Sequence, residues 1–356
     1  MMTVLQVCAF AAPTAGNFIP ALLKLENRLK ENNVNTIYAF PERAKDKDWC
    51  IKIQQYAKVY FLPEANARIK YETYKIFKRI YKENKIDIVH SHFELYDIPS
   101  TMMAPKGVKI FWHLHDAIKE LYEKADRKHR ILYKLQYGFC GKKARMLTVS
   151  QKHADFVIDL GFSAKSVHYI PNGIDLDRIE KNGLATSQKD FLMFGWEVYR
   201  KGVDILVEAA KEIEVPFKVM LVGHDVCKAY LNEVSAPDSI VYTEPVKNIN
   251  ELYSKSYAFL HISRAEGLSY ALLEAIYYGL PIICSDIPEN MFAKEFKNVF
   301  WMKTGDYHSL KSVILELLNN RNVVKAQDVE YNRSIIEKMY SMDVWVDNIL
   351  SYYFPN

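Results

Sequence analysis

Two glutamates and the loop beside them are the residues of this sequence best placed to carry chemistry. Glu266 and Gly267 stand directly before a predicted helix, and Glu274 follows Glu266 by eight residues within that helix. Ser269 can cap the free N–H groups of the first turn, so the helix should begin at Leu268 or Ser269. Free N–H groups and the helix dipole attract anions at such a position, and the pattern therefore predicts an anion-binding loop.

The elements around this loop are those of an α/β domain. Gly279 suits the left-handed position after a helix and Pro281 cannot continue one, so the helix should end at Tyr278. Apolar runs at 258–262 and 282–284 predict buried strands on either side. The order strand, loop, helix, strand puts the loop at the carboxyl end of a strand, where open α/β sheets bind their ligands.

Composition restricts the class of protein. The 356 residues favour two domains, and 49% hydrophobic with 25% charged residues is typical of a soluble globular protein. No apolar run is long enough to span a membrane, and the first residues lack the basic start of a secretory signal. Five cysteines without a CxxC pair fit reduced thiols, so a cytoplasmic location is expected.

Charge is divided unevenly along the chain. Residues 1–172 carry 28 Lys and Arg against 17 Asp and Glu, a net +11, whereas residues 173–356 carry 19 against 26, a net −7. Basic helical regions at 68–85 and within 117–145 hold most of this excess, which indicates that the first half meets an anionic surface or ligand. For 68–85, a solvated helix packed on the sheet by Ile69, Ile76 and Ile80 is favoured over membrane docking.

Two further segments join the glutamates in resembling a known enzyme family. Residues 86–94 read IDIVHSHFE and residues 171–175 read PNGID. With Glu266-x7-Glu274, they resemble the retaining glycosyltransferases of family 4, glycosyl transferases group 1. The resemblance implies the GT-B fold, an α/β architecture of two Rossmann-like parallel-sheet domains facing a cleft, with a C-terminal helix that crosses back to the first domain. It implies an acceptor-side domain at 1–172 with the returning helix 341–356, and a nucleotide-sugar-binding domain at 173–340.

The resemblance implies roles for the glutamate loop. In this family the first Glu faces the donor sugar and the second hydrogen-bonds the ribose of the nucleotide, so Glu266 and Glu274 are expected to do the same. The backbone N–H groups of Gly267, Leu268 and Ser269 are expected to bind the phosphates or the sugar hydroxyls of the donor.

The family also places Arg and Lys on the diphosphate. Arg200 and Lys201 begin a helix after a predicted strand, and Lys201 matches the family's Lys. Trp196 stands where the family has its Arg. Either Arg200 or a residue elsewhere therefore supplies the second positive charge, or the donor is held more loosely.

On the acceptor side, the resemblance points to a histidine and a glycine. His115 with Asp116 fits the family's His-Asp segment beside the donor sugar, and His113 lies two residues earlier in the alternative register. Gly16 stands in the turn after the first predicted strand, which resembles the family loop between acceptor and diphosphate. A plain strand-to-helix turn is an equally good interpretation of Gly16.

No metal or other cofactor is expected. His90 and His92 alternate on a predicted strand, where such a pair is expected to divide between core and solvent, and no third ligand has a recognisable spacing. The D-x-D triplets at 46–48 and 175–177 lie in a charged loop and in the hinge, and neither directly follows an apolar strand. The sequence has neither G-x-G-x-x-G nor a P-loop, so neither a classical dinucleotide dehydrogenase nor an NTPase is indicated. The family resemblance implies a nucleotide-diphosphate sugar as substrate.

These features predict a retaining glycosyltransferase that moves a sugar from a nucleotide-diphosphate sugar to a glycan or polyprenyl-linked acceptor, in bacterial cell-surface polysaccharide synthesis. Two alternatives stay open. One is a non-catalytic GT-B subunit that supports a partner transferase, which Trp196 favours, and the other is a sugar-nucleotide epimerase of the same fold. No nucleic-acid partner is expected. An anionic membrane surface is considered as a further partner, which would place the protein peripherally at the inner face of the cell membrane.

Overall fold

The computed structural model describes residues 1–115, 118–181, 190–320 and 324–355. They form two compact units. The first comprises Met1–Gly173 together with Met342–Asn356, and the second comprises Ile174–Ser341. Each unit is an α/β domain with its own sheet and its own hydrophobic core, because each alternates buried apolar strands with amphipathic helices.

The first unit is built on a seven-stranded parallel sheet. Its strands are β1 (Met2–Cys8), β2 (Val34–Pro41), β3 (Lys58–Leu62), β4 (Ile88–His92), β5 (Lys109–Leu114), β6 (Arg145–Thr148) and β7 (Val167–Tyr169). The order is β3-β2-β1-β4-β5-β6-β7. The central strands are buried on both faces, which explains their nearly continuous apolar sequences. The short edge strand β7 was not predicted, because three residues carry no periodic pattern.

Helices connect these strands on both faces of the sheet. They are α1 (Phe18–Glu31), α2 (Asp48–Gln54), α3 (Tyr71–Glu83), α4 (Asp97–Met103), α5 (Ile118–Lys124), α6 (Arg127–Gly138) and α7 (Gln151–Asp159). The region 117–145, predicted as one long helical region, is divided between α5 and α6. The break lies at Asp126, whose backbone is extended and whose carboxylate caps α6 by accepting from the N–H of His129.

The second unit contains a six-stranded parallel sheet. Its strands are β8 (Asp190–Phe194), β9 (Lys218–Val222), β10 (Ile240–Thr243), β11 (Ala258–His261), β12 (Ile282–Ser285) and β13 (Val299–Met302). The order is β10-β9-β8-β11-β12-β13. Its helices are α8 (Val198–Lys201), α9 (Val203–Lys211), α10 (Asp225–Glu233), α11 (Asn250–Tyr253), α12 (Tyr270–Tyr278), α13 (Tyr307–Asn319) and α14 (Ala326–Met339).

The cap and the end predicted for α12 are confirmed, whereas the helix begins at Tyr270 rather than at Leu268 or Ser269. Ser269 is its N-cap, and the Ser269 hydroxyl accepts from the N–H of Leu272 at 3.3 Å. The helix ends at Tyr278, and Gly279 follows in the left-handed region with φ +110°. Helix α14 begins at Ala326, and residues 321–323 before it lie outside the described residues.

The last helix, α15 (Met342–Tyr353), belongs to the first unit, as the GT-B resemblance implied. Trp345 and Ile349 pack in one buried cluster with Leu25 of α1. At the surface, Lys24 of α1 binds Asp343 at 2.7 Å. The amphipathic pattern of α15 is therefore used to cover the first sheet. Within the described ranges, no helix is long and apolar enough to cross a lipid bilayer.

Candidate active site

The second sheet has its topological switch point between β8 and β11. The chain moves outward from β8 to β10, then returns to β11 on the other side of β8. Because all strands are parallel, the loops after β8 and β11 leave the same edge of the sheet side by side. Ligands of open α/β sheets bind at this position. The loop after β8 carries Arg200 and Lys201, and the loop after β11 carries Glu266.

Three predicted site residues meet here. Lys201 Nζ donates to Glu266 Oε1 at 2.5 Å, and Arg200 Nη1 donates to Glu266 Oε2 at 3.1 Å. Arg200 also donates to the carbonyl of Ala265 at 3.1 Å. The Glu266 carboxylate, only 6% exposed, is therefore held between two cations from a different loop. Arg200 is therefore a second cation beside Lys201 at this carboxylate.

The Glu266 carboxylate is ionised. Burial would raise its pKa, but the positive charges of Lys201 and Arg200, joined by His261 at the low pH where that ring is protonated, outweigh burial and lower the pKa to about 2. Burial in turn lowers the pKa of His261 to about 4, so this ring is neutral at neutral pH. Lys201 and Arg200 therefore supply the positive charge that keeps Glu266 negative.

Gly202 allows the two loops to approach each other closely. It has φ +80°, and a Cβ added there would lie 2.5 Å from the carbonyl oxygen of Ile262. The neighbouring backbone is joined by a hydrogen bond from the N–H of Arg264 to the carbonyl of Arg200 at 2.8 Å. Arg264 further binds Asp204 through two hydrogen bonds of 2.7 Å. A residue with a side chain at position 202 would push Lys201 away from Glu266.

The N-terminus of α12 presents backbone donors beside this carboxylate. Within the described ranges, the N–H groups of Gly267 and Ser269 have no partner, and α12 has nine residues to contribute its dipole. Leu268 lies between them and is buried. The predicted segment 267–269 therefore has the arrangement of a helix-terminus anion site.

Glu274 lies in the second turn of α12 and is buried. Its carboxylate accepts from Arg178 and from the hydroxyl of Tyr253, the latter at 3.2 Å. Arg178 follows the PNGID segment, and its own carbonyl accepts from Asn250 at 2.9 Å. Sequence reasoning did not find Arg178 or Tyr253, because they are 96 and 21 residues from Glu274.

Trp196, which replaces the family's Arg, packs against the ring of His224 with centroids 4.6 Å apart. His224 follows β9, so these two rings lie at the carboxyl ends of neighbouring strands. The position therefore holds an aromatic pair where a cation was expected.

In the first unit, the corresponding switch point lies between β1 and β4. The loop after β1 contains Gly16 with φ +55°. Rings from neighbouring segments gather here: Phe18 and Phe93 lie 4.8 Å apart, and His115 lies 4.6 Å from Phe93 and 5.5 Å from Phe18. Phe93 has φ +62°, a conformation that side chains adopt rarely and that often marks a binding loop. This aromatic group was not predicted, since its members come from different loops.

His115 and His113 take different positions. His113 lies within β5, fully buried and stacked on Trp345 at 5.9 Å, whereas His115 follows the strand and keeps some exposure. His115 Nε2 lies 3.2 Å from His92 Nδ1. Burial lowers the pKa of His115 to about 3, so the ring is neutral. The structure therefore favours the predicted His115 over His113; Asp116 lies outside the described residues.

His90 and His92 are both buried, so the expected division between core and solvent was wrong. Residues two apart on a strand share a face, and this face is covered by α15. His113 joins them, and the nitrogen atoms that the three rings offer lie within 4.8 Å of one another. A third imidazole is therefore present that sequence spacing did not reveal.

The rings of these histidines are arranged as a stack. The planes of His90 and His113 are 4° apart, with centroids 5.3 Å apart. Parallel ring planes do not converge on one point, so a cation would require the rings to turn. Of the D-x-D triplets, Asp48 starts α2, and Asp175 accepts from the N–H of Asp177 at 3.2 Å.

The fold and this site define a class before any relative is considered. Two parallel α/β units and a C-terminal helix that returns to the first are the GT-B architecture. The family profile described as Glycosyltransferase Family 4 matches residues 21–178, and the one described as Glycosyl transferases group 1 matches residues 176–340. The chain belongs to glycosyltransferase family 4, and it is a glycosyltransferase.

Relatives and solved structures agree with this assignment. The chain is 24% identical over 235 residues to the capsular polysaccharide biosynthesis glycosyltransferase CapH of Staphylococcus aureus, covering 62% of this chain and 65% of CapH. It is 25% identical over 269 residues to the Escherichia coli UDP-Gal:alpha-D-GlcNAc-diphosphoundecaprenol alpha-1,3-galactosyltransferase, covering 68% and 69%. The matches span about two thirds of these relatives. The crystal structure of Anabaena HepE in complex with UDP and glucose shares the fold, with TM-score 0.78, 14% identity and 99% of both chains covered.

Proposed function

We propose that this glycosyltransferase is a retaining enzyme that moves a sugar from a nucleotide-diphosphate sugar to a glycan or polyprenyl-linked acceptor. The observation that carries the proposal is the ionised Glu266 between Lys201 and Arg200, beside the N-terminus of α12. HepE, which shares the fold, was crystallised with UDP and glucose. The relatives named for capsular polysaccharide and for a diphosphoundecaprenol acceptor support a role in bacterial cell-surface polysaccharide synthesis.

The proposed role of Lys201 and Arg200 is to stabilise the leaving diphosphate. As the bond between the anomeric carbon and the phosphate oxygen breaks, negative charge collects on the diphosphate and needs donors that are already in place. Lys201 and Arg200 bind Glu266, and they would turn part of their N–H donors to the phosphates when the nucleotide sugar binds. The N–H groups of Gly267, Leu268 and Ser269 would add the α12 dipole.

Glu266 and His115 are proposed to act on the donor sugar, while the loop at Gly16 acts on the acceptor. The anomeric carbon gains positive charge in the transition state, and the ionised Glu266 would stabilise the donor sugar and bind its hydroxyls. The acceptor oxygen forms its new bond on the face that the diphosphate leaves, and its proton passes to a diphosphate oxygen. Neutral His115 would hydrogen-bond the sugar, and the loop at Gly16 would position the acceptor.

Transfer is proposed to need no metal, because Lys201, Arg200 and a helix N-terminus already supply positive charge at the diphosphate site. Activity should therefore survive EDTA. Loss of transfer in EDTA, with recovery on adding Mg²⁺ or Mn²⁺, would contradict this part of the proposal.

The donor is tested by a thermal-shift screen over UDP-, GDP- and dTDP-sugars. A donor at 100 times its dissociation constant should stabilise the protein by about 2.7 kcal/mol. Incubation of that donor with polyprenyl-diphosphate-linked glycans, followed by NMR of the product, then tests the stereochemistry. A product with inverted anomeric configuration would refute the retaining mechanism.

Two variants test the roles of Glu266 and of the cations that bind it. Glu266→Gln should keep nucleotide affinity within about threefold and lower kcat by about 100-fold or more, because the charge near the sugar is lost. Arg200→Met should weaken nucleoside diphosphate binding, whereas the control Lys211→Met, a surface lysine paired with Glu208, should not. Equal affinity of Arg200→Met and wild type would mean that Arg200 is not the second diphosphate cation.

The same assays separate the two alternatives. A non-catalytic subunit would bind no donor, or would bind one without transfer until a partner transferase is added. An epimerase would convert the sugar nucleotide in the absence of any acceptor. Trp196 is the residue that supports the non-catalytic alternative, and the Arg200 contact with Glu266 argues against it.

We further propose that the protein works at the cytoplasmic face of the cell membrane, held peripherally by its basic first unit. The net charge of +11 over residues 1–172 and a lipid-linked acceptor support this location. Liposome sedimentation with and without anionic lipid tests it: binding should rise with anionic lipid and fall with salt.

A further inference from the structure

The outward face of α6 carries an apolar stripe. Ile131, Leu135 and Phe139 are 51%, 52% and 66% exposed. Ile131 and Leu135 lie one turn apart on α6, and Phe139 follows as its C-cap residue, four positions further on, so the three continue one row along this surface. The opposite face is anchored in the first unit by the buried residues Tyr133, Gln136 and Tyr137. No other helix in the described part of the chain exposes three large apolar side chains.

The stripe lies in a strongly basic segment. Residues 127–145 contain seven Lys and Arg and no Asp or Glu. Among the described residues, α5 and α6 themselves form the pairs Lys119–Glu123 and His129–Asp126, and the Arg68–Glu94 pair contacts the tyrosines on the buried face of α6. Lys128, Lys134 and Lys142 therefore present unpaired charges on or next to α6. An apolar row bordered by unpaired cations is the pattern of a helix that lies in a membrane interface.

Helix α3 lies in the other basic segment of the first unit. It differs from α6 in the pairing of its cations and in its exposed apolar surface. Its cations are partly paired, as in Lys70–Glu72 at 3.1 Å and Arg79–Glu83 at 3.9 Å. Its middle turns expose no large apolar side chain. The helix is therefore a solvated surface element, as the sequence favoured.

Ile69, which precedes α3, departs from the expected packing. Ile69 was expected to pack on the sheet, but it is 67% exposed. The neighbouring Arg68 guanidinium lies 5.0 Å from the ring centroid of Tyr133. Ile69 is therefore solvent-exposed and does not hold α3 against the sheet.

We propose that the α6 surface, consisting of Ile131, Leu135, Phe139 and the adjacent Lys128, Lys134, Lys142 and Lys143, docks on an anionic lipid bilayer. The apolar row would enter the boundary between headgroups and acyl chains while the lysines bind lipid phosphates. A second copy of the chain is a poorer occupant, because it would bring a like-charged surface against this one. The surface deepens the proposed membrane location, but nucleotide binding in the second unit does not depend on it.

The experiment compares two variants of equal charge by sedimentation with vesicles of phosphatidylcholine and phosphatidylglycerol. Each lysine near an anionic leaflet contributes about fivefold to binding at low salt. Replacing Lys128, Lys134, Lys142 and Lys143 by Ser should therefore weaken vesicle binding by about 100-fold or more. The matched control removes the same charge from α3, with Lys75, Lys78, Arg79 and Lys82 replaced by Ser, and should change binding by less than about fivefold. An equal loss in both variants would overturn the assignment to α6.

The apolar row is tested separately. Replacing Ile131, Leu135 and Phe139 by Ser should lower vesicle binding by about tenfold or more, because transfer of their apolar surface from water is lost. In Phe139→Trp, brominated lipids should quench more tryptophan fluorescence than in the parent protein. Absence of this extra quenching in vesicle-bound protein would overturn insertion of the stripe.

Two further readouts distinguish failure of this proposal from failure of the proposed transferase. Nucleotide affinity and hydrolysis of the sugar nucleotide in solution should be unchanged in all α6 variants. Analytical ultracentrifugation tests whether a second copy of the chain, rather than a membrane, covers the α6 surface. If the Ser triple variant converts a dimer to a monomer and leaves vesicle binding intact, the stripe is an interface between copies and the proposal is wrong.

Discussion

At the scale of single residues, the site depends on two buried carboxylates that have different partners. Glu266 contacts two cations, Lys201 and Arg200, whose side chains can turn to a ligand. Glu274 contacts Arg178 and the hydroxyl of Tyr253. A charged group that stays buried needs such partners, since desolvation would otherwise favour its neutral form. The pairs therefore hold both acids in place before a donor arrives.

Glu274→Ala is expected to weaken binding of the nucleoside diphosphate by about 1–3 kcal/mol, because the ribose hydroxyls would lose a buried acceptor. Isothermal titration calorimetry with the free nucleoside diphosphate measures the change. Glu274→Gln keeps one acceptor oxygen and should lose less. If the Ala variant binds as tightly as wild type, Glu274 is not part of the nucleotide site.

At the scale of elements, the site is formed where two loops lie against each other at one sheet edge. The turn between α8 and α9 contacts the loop after β11, and Gly202 is the point of closest approach. Capping by Ser269 and termination at Gly279 hold α12 at the length that places Glu274 in the second turn after the loop 267–269. The contact between the loops and the length of α12 together determine which hydrogen-bond donors face the proposed ligand.

Gly202→Ala is expected to weaken donor binding by about tenfold or more and to lower the melting temperature, because its Cβ would meet the Ile262 carbonyl at 2.5 Å. Gly305→Ala is the matched control: it has the same φ of +80°, but nothing lies within 4 Å of an added Cβ. Thermal melts and calorimetry compare the two. If both variants lose the same stability and bind donor equally, backbone conformation alone matters and loop contact does not.

At the scale of the whole molecule, the first unit contains a stack of neutral imidazoles beneath α15. Burial is the main cause that lowers the pKa of His90, His92 and His113 well below 6.5, and it lowers that of His115 to about 3. His90 Nδ1 lies 2.7 Å from the hydroxyl of Tyr353, which joins the stack to the returning helix. Protonating these rings would place positive charges in the core.

The first unit should therefore lose stability as the pH falls below about 6.5. The unfolded chain takes up protons on these histidines near that pH and the folded chain does not, so the stabilisation is complete above pH 6.5. Each histidine contributes at most about 1.4 kcal/mol per pH unit. Burial raises the pKa of Asp97 and Glu94 in the same unit, and these two acids act in the opposite direction on acidification.

Urea denaturation at pH 7.5 and 5.5 measures this effect. The control His113→Phe keeps an aromatic ring against Trp345 but does not titrate, so its stability should fall less between the two pH values. Equal pH dependence of the control and wild type would show that the buried histidines do not cause the acid sensitivity.

Sequence alone determined the features that act over a few residues. The length of α12 follows from a serine cap and a glycine in the left-handed region, and both effects are local. Apolar runs indicated the central strands, because strands buried on both faces can carry little else. The spacing of Glu266 and Glu274 resembled one family, and the match of two family profiles confirmed that resemblance.

Only the tertiary structure decided which distant residues meet. Arg200 binds Glu266 across 66 residues, because the pairing of β8 with β11 brings the segments after these strands to one edge. Arg178 binds Glu274 across 96 residues through the packing of the second unit. The histidine stack arises in the same way, since neighbouring parallel strands align His92 with His113. The exposed stripe of α6 was hidden in a basic, helical segment, because periodicity shows that a helix has an apolar row but not whether that row is covered. Partners far apart in sequence are set by packing, which acts through the whole sheet and leaves no local pattern.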